Sequence, residues 1–141
     1  MLYGPVEFIG EDVATTLAQS LIESPEARVD HWSTRYPTSV EDVAQVCCQM
    51  LEYKSQHPNF NGTYHWASDE PLTKYEMAQM IVQKLNLKTT LILDPNPPSG
   101  APRPKNCQMD CTDLERLGIG FRTPFQQAVQ KPLDDFNRLQ P

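Results

Sequence analysis

The strongest constraint on this chain is a device that recurs along it: Thr38-Ser39-Val40-Glu41, Thr73-Lys74-Tyr75-Glu76 and Thr112-Asp113-Leu114-Glu115 all read S/T-x-x-E. In this pattern a hydroxyl and a carboxylate each satisfy a free backbone N–H, so each occurrence should open a helix. The first helix would carry Val40, Val43, Ala44, Cys47 and Leu51, the second Met77, Met80, Ile81 and Leu85, and the third should stop at Gly118. Upstream, Val13, Ala14, Leu17, Ala18, Leu21 and Ile22 form one apolar helical stripe that Pro25 stops. Downstream, a further helix is predicted from Thr123, with Pro124 at its first position and Gln126 at its third; it carries Ala128, Val129, Leu133 and Phe136, and Pro132 should kink or end it. Between these lie short pieces rich in β-branched or aromatic residues, Gly62 to Ala67 and Thr89 to Leu93, and the chain opens on Met1-Leu2-Tyr3, a strand that Gly4-Pro5 breaks at once. Strands alternating with helices predict an α/β fold. Asp94 to Pro104, with five of the 13 prolines, is a loop.

A length of 141 residues fits one domain or part of one. The net charge of -6, with acidic and basic residues interleaved and no Lys/Arg cluster, argues against nucleic acid or an anionic membrane as partner. Apolar runs are too short for a membrane-spanning helix and the N-terminus has no signal-peptide pattern, so a cytoplasmic or nuclear setting is expected. Cys47-Cys48 and Cys107/Cys111 lack the CxxC spacing of zinc or redox sites, which predicts reduced, mostly buried thiols. Asn61-Gly62-Thr63 reads as a turn entering a strand rather than as a glycosylation site.

A nicotinamide-dependent reductase needs a Gly-rich turn for close approach of a pyrophosphate, and no three of the six glycines have that spacing. It also needs a tyrosine acidified by a lysine four residues on, and none of Tyr3, Tyr36, Tyr53, Tyr64 or Tyr75 has one. His31, His57 and His65 have no nucleophile or carboxylate partner by spacing, and a structural role is expected for His65. Met77 and Met80 read as core packing. Arg35 and Arg103 each sit beside a proline-stiffened turn, which can aim a guanidinium at an anionic ligand; a surface arginine or a loop-holding ion pair is the alternative.

Several words carry a family resemblance. Asp30-His31-Trp32, Arg35-Tyr36-Pro37-Thr38, Asp42-Val43-Ala44, Gly62-Thr63-Tyr64-His65-Trp66, Thr73-Lys74-Tyr75-Glu76-Met77-Ala78, Arg103-Pro104-Lys105-Asn106 and Arg122-Thr123-Pro124-Phe125 resemble the regulatory beta subunits of methionine adenosyltransferase, in the C-terminal half of an extended short-chain dehydrogenase (Rossmann-type) fold. The wider relatives, dTDP-4-dehydrorhamnose reductases, share the Pro-Thr-x-Val-x-Asp-Val-Ala kind of word and the Arg-Pro loop.

The resemblance implies a non-catalytic protein that binds NADP and associates with the methionine adenosyltransferase catalytic subunit to modulate S-adenosylmethionine synthesis. Leu2-Tyr3-Gly4 is similar to the strand end whose following turn runs beside the nicotinamide ring, so Leu2 and Tyr3 are the candidate cofactor-binding residues, and Arg35 and Arg103 the candidates on the ligand side. Residues 1–141 would then be a partial domain, the last strands and substrate-side lobe without the cofactor-binding half, and weak or no NADP binding is expected. Asp134 to Pro141 departs from the family's C-terminal tail, which docks on the catalytic subunit. A helix built to cover an absent sheet should also leave Val13, Leu17, Leu21 and Ile22 at the surface of a marginally stable chain.

Overall fold

The computed structural model describes residues 1–140; Pro141, the last residue of the divergent tail, lies outside the described residues. The order of elements is β1 (Leu2–Tyr3), α1 (Val13–Ile22), β2 (Glu26–Asp30), β3 (Thr38–Ser39), α2 (Val40–Gln56), α3 (Lys74–Leu85), β4 (Thr90–Asp94), α4 (Thr112–Glu115), α5 (Phe125–Ala128) and α6 (Gln130–Leu139). The strands form two parallel pairs. In the first, Leu2 faces Thr38 and Tyr3 faces Ser39; in the second, β2 and β4 run in full register from Glu26↔Thr90 to Asp30↔Asp94. Parallel strands need a crossover between them, and helices supply it in both pairs, so the fold is α/β as expected.

Helices α1, α2 and α3 each start at a side-chain cap, whereas α4, α5 and α6 have none. Asp12 caps α1, accepting from Thr15 N at 2.7 Å, and its other oxygen takes the N–H of Gly4 at 3.1 Å, which fixes the chain between β1 and α1. Gly4 itself sits so close to Val40 that a Cβ there would lie 2.2 Å from a Val40 methyl carbon. The Thr73 box forms completely: Thr73 Oγ1 accepts from Glu76 N at 3.2 Å and Glu76 Oε2 accepts from Thr73 N at 2.7 Å. The other two boxes do not form. Thr38 Oγ1 is committed to Tyr36 O and Ser68 N, so Ser39 caps α2 one residue later; the hydroxyl and N–H of Thr112 both turn to Asp110, leaving α4 a single short turn.

The main core lies where α1, α3 and α6 meet, with Leu21, Ala18, Ile81, Leu133 and Phe136 fully buried. A second cluster of Val46, Leu114 and Ile119 sits beneath α2. Several expectations are corrected here. The α1 stripe is not left bare: Leu21 is fully buried and Val13 and Leu17 are partly buried against this core, because α3 and α6 cover it; only Ile22 is exposed, at 43%. On α2 the core face is Asp42 and Val46, while Val40, Ala44, Cys47 and Leu51 face solvent. Cys47, Cys48 and Cys107 are exposed and Cys111 alone among the four is buried. Gly62 to Ala67 forms no strand, for it lies beside no partner strand. Pro132 neither ends nor kinks a helix from Thr123; the chain breaks at Val129, and Pro132 falls in the first turn of α6, where no N–H is needed.

Asp135 ties α6 to the segment after β1. Its side chain is 6% exposed and accepts from Lys131 Nζ and Arg138 Nη2, both at 3.1 Å, and from Val6 N at 3.3 Å. The bond from Lys131, aided by the Val6 N–H and the nearby cations against the cost of desolvation, holds its carboxyl below the ordinary range. A folded-state value below the unfolded one, about 3.9, means the contribution is present above that value and is lost as pH falls through the lower one. Thermal unfolding should therefore show the wild-type chain losing stability below about pH 4 more steeply than Asp135→Asn, with the two curves parallel above pH 5. Parallel curves throughout would show that Asp135 is not linked to folding.

Candidate functional site

The stretch from Thr34 to Ser39 joins the sequence candidates. At its start Thr34 N donates to Lys105 O at 2.7 Å and Thr34 O accepts from Cys107 N at 3.3 Å, which pins the loop that carries Arg103. In its middle Arg35 exchanges both backbone bonds with Leu72, at 2.8 and 2.9 Å. At its end Thr38 and Ser39 pair with Leu2 and Tyr3. Arg35 and the Arg103 loop are thus neighbours across one backbone bridge, and β1 attaches to the far end of the same stretch.

The Arg35 side chain is 18% exposed and its Nη2 lies 3.8 Å from Asp30 Oδ2. Its Nε is buried without a partner. Asp30 closes an Asx-type turn, accepting from the N–H groups of Trp32 at 2.8 Å and Ser33 at 3.1 Å. Burial works against its charge, but these N–H groups, with Arg35, outweigh it and bring its carboxyl below the usual range. Beside it, His31 Nδ1 lies 2.8 Å from Thr73 Oγ1, which itself donates to Glu76 Oε2 at 2.9 Å, and the imidazole meets the Tyr75 ring edge-on. When the Thr73 hydroxyl gives its one proton to Glu76, His31 must be the donor at Nδ1, which leaves Nε2 as an acceptor in the neutral ring. Arg103 lies in an exposed loop and has no ion pair among the described residues. Arg35 therefore makes the loop-holding ion pair, with its buried Nε left unpartnered, whereas Arg103 makes no ion pair among the described residues.

Leu2 is 56% exposed, but the Tyr3 side chain turns inward, 1% exposed, with its ring edge-on to Phe125 at 5.1 Å. Its hydroxyl is buried without a partner, and burial first, then the carboxylates of Asp42, Glu70 and Asp12, push its ionisation far up, so it stays a neutral phenol. Leu2, Tyr3, Gly4, Glu11, Asp12 and Val40 contribute to a cleft of about 190 Å³. That is below the roughly 300 Å³ at which pockets for drug-sized ligands begin. Its charged groups are two carboxylates, which oppose a pyrophosphate. The residues lining this cleft do not by themselves fit NADP.

Sequence reasoning missed Asp30 and the His31–Thr73–Glu76 chain. The only local signal for the turn was an Asp with no proline at the second and third positions after it, where Trp32 and Ser33 donate; nothing local linked His31 to Thr73.

Similarity to known proteins follows this architecture. Residues 1–138 match the model of the RmlD substrate binding domain. The mouse protein named methionine adenosyltransferase 2 subunit beta is 42% identical over 139 residues, covering 96% of this chain and 42% of the mouse protein. The zebrafish (Danio rerio) protein of the same name is 36% identical over 141 residues, covering 96% of this chain and 44% of its own. The chain thus spans less than half the length of these relatives. Among solved structures, a dTDP-4-dehydrorhamnose reductase from Clostridium acetobutylicum superposes with a TM-score of 0.77 at 21% identity, over 94% of this chain and 45% of that one. A second, from Bacillus anthracis in complex with NADP, gives 0.69 at 23% identity, over 95% and 46%. The shared fold is the α/β fold of the extended dehydrogenases, and this chain belongs to the RmlD substrate-binding-domain family.

Proposed function

We propose that the chain acts as a non-catalytic regulatory protein of the methionine adenosyltransferase beta-subunit type, which associates with the catalytic subunit and modulates S-adenosylmethionine synthesis in the cytosol or nucleus. The observation that carries this is the identity gradient: 42% to the mouse beta subunit over nearly the whole chain, against 21% to a reductase that superposes at 0.77. In this reading residues 1–141 correspond to the last strands and substrate-side lobe of the family fold. Arg35 and Arg103 are the ligand-side candidates, and Leu2 with the backbone of β1 lines the wall of a cofactor site that these residues alone do not complete, the Tyr3 ring being turned into the core. NADP binding is weak or absent, since the pyrophosphate donors, each worth roughly 1.5–3 kcal/mol, are not supplied by the carboxylate-lined cleft beside β1. Leu133, Asp135 and Phe136 are buried in the core, so a partner that meets α6 would meet its outer face.

The second reading, part of an NADP-dependent reductase of the dTDP-4-dehydrorhamnose type, is favoured by the match to the RmlD substrate binding domain. One experiment separates the two. The purified chain is mixed with the methionine adenosyltransferase catalytic subunit, and co-sedimentation and the rate of S-adenosylmethionine formation are measured; NADPH oxidation with dTDP-4-dehydrorhamnose is followed in parallel. Association with a changed rate, and no NADPH oxidation, is the expected result. NADPH turnover that a substitution within residues 1–141 abolishes would replace the regulatory reading with the enzymatic one.

A further inference from the structure

We propose that the cleft between Met109 and Phe121 is a docking surface for an extended segment of a partner protein that carries a basic side chain between apolar ones. Two cavities of about 410 and 400 Å³ meet here, and Asp69, Glu115 and Arg122 line both. The wall is rigidly built. The Arg122 guanidinium lies 4.1 Å over the Trp66 ring, Arg122 Nε donates to Ala67 O at 3.1 Å, and Arg122 Nη2 donates to Glu115 Oε1 at 2.6 Å. Trp66 is seated on the backbone of Gly120, where a Cβ would come 2.6 Å from the indole, and Gly120 N is held by Gln49 Oε1 at 2.7 Å.

Charge selects the occupant. The guanidinium is consumed by the wall, so it is not a receptor for an anion. Against that single cation the two cavities set the carboxylates of Asp69, Asp110 and Glu115. Asp69 makes a loose ion pair with Arg122 Nε, no nearer than 3.8 Å, and at 73% exposed its carboxylate stays accessible to a visiting cation. Asp110 is kept ionised by the Thr112 hydroxyl and N–H that it accepts. No group of His, Cys, Asp and Glu with the geometry to hold a metal ion occurs among the described residues, which turns the expectation from a metal to an organic cation. The flanks are apolar: Met109, 44% exposed, lines the first cavity and Phe121, 49% exposed, lines the second. Met109 and Phe121 are separate side chains rather than one continuous patch, so they add apolar contact at either end while opposite charge between them fixes the register of the partner. A lysine or arginine with an apolar residue on either side matches this order. The site does not depend on the regulatory reading, because it specifies a partner by chemistry alone.

The test uses the full chain and two capped peptides, one with a lysine between two leucines and one with a glutamate in its place, followed by NMR titration. The lysine peptide should shift the Trp66 indole and the amides around Met109 and Phe121 and should bind at least fivefold more tightly than the glutamate peptide. Asp69→Lys should weaken it about tenfold, and Phe121→Ser should do likewise, with thermal unfolding of both variants unchanged because both side chains are exposed. Equal affinity for the two peptides, shifts centred elsewhere, or no binding at millimolar peptide would overturn the proposal.

Discussion

Leu21→Ala is expected to destabilise the chain by about 2–5 kcal/mol, whereas Ile22→Ala, one residue on, should change stability by about 0.5 kcal/mol or less. The contrast follows from which neighbours cover α1. Leu21 is fully buried in the cluster that contains Ile81 of α3 and Leu133 and Phe136 of α6, so removing its branched end leaves a hole that rigid neighbours on two helices cannot close. Ile22 is 43% exposed and keeps close to half of its contact with water in the folded state. Urea unfolding of both variants reads the difference directly. An equal and small loss for the two would mean that α1 is not packed under α3 and α6, and would restore the expectation of a stripe left open for an absent sheet. Against a typical domain stability of about 5–15 kcal/mol, a loss at the upper end of the Leu21 range comes close to unfolding the chain.

How far the sequence could be read depends on how local the deciding contacts are. α3 was legible because both halves of its cap, Thr73 and Glu76, lie within one turn and find each other without outside help. At Thr38 and Thr112 the pattern marked true helix starts, α2 and α4, but the box itself does not form, because the hydroxyl has other partners: Ser68 and Tyr36 for the first, Asp110 for the second. β2 was invisible, since Glu26 to Asp30 offers only Ala27 and Val29 in alternation, and its reason for being a strand is β4, far along the chain. α2 shows how a pattern can mislead on burial. Its apolar residues suggest one packed stripe, yet the buried positions include Asp42, because a carboxylate with fixed donors can be buried where Leu51, 72% exposed, is not. For the site, the proline-stiffened turns marked Arg35 and Arg103 as worth following, but the connection between the stretches that carry them rests on the Thr34 bridge to Lys105 and Cys107, which no local rule encodes. The inward turn of Tyr3 was likewise hidden, since it depends on Phe125 lying across the core.

Asp42 is where that hidden, long-range chemistry should have its largest effect, and Asp42→Ala is expected to cost about 2–4 kcal/mol. The residue lies in the first turn of α2, 5% exposed, where a negative charge is favoured by the helix N-terminus. Its two oxygens accept from Thr123 N and Thr123 Oγ1, each at 2.8 Å, and so bind α2 to the corner that launches α5. Alanine removes both acceptors at once and leaves a part-buried N–H and hydroxyl with nothing to donate to. Thr123→Val removes only the hydroxyl bond and keeps the N–H bond, so it should cost roughly 1 kcal/mol. Combined, the two substitutions should cost less than their sum, because they break a shared bond. The corner has a second restraint in Phe125 N, which donates to Glu70 Oε2 at 2.7 Å, and the Phe125 ring packs on Tyr3. Loosening Thr123 should therefore spread along α5, and hydrogen exchange in Asp42→Ala should rise at Phe125 to Ala128 while α3 stays protected. Exchange that rises uniformly through the core would show instead that Asp42 supports the whole fold, and an unfolding loss below about 0.5 kcal/mol would show that water replaces it without penalty.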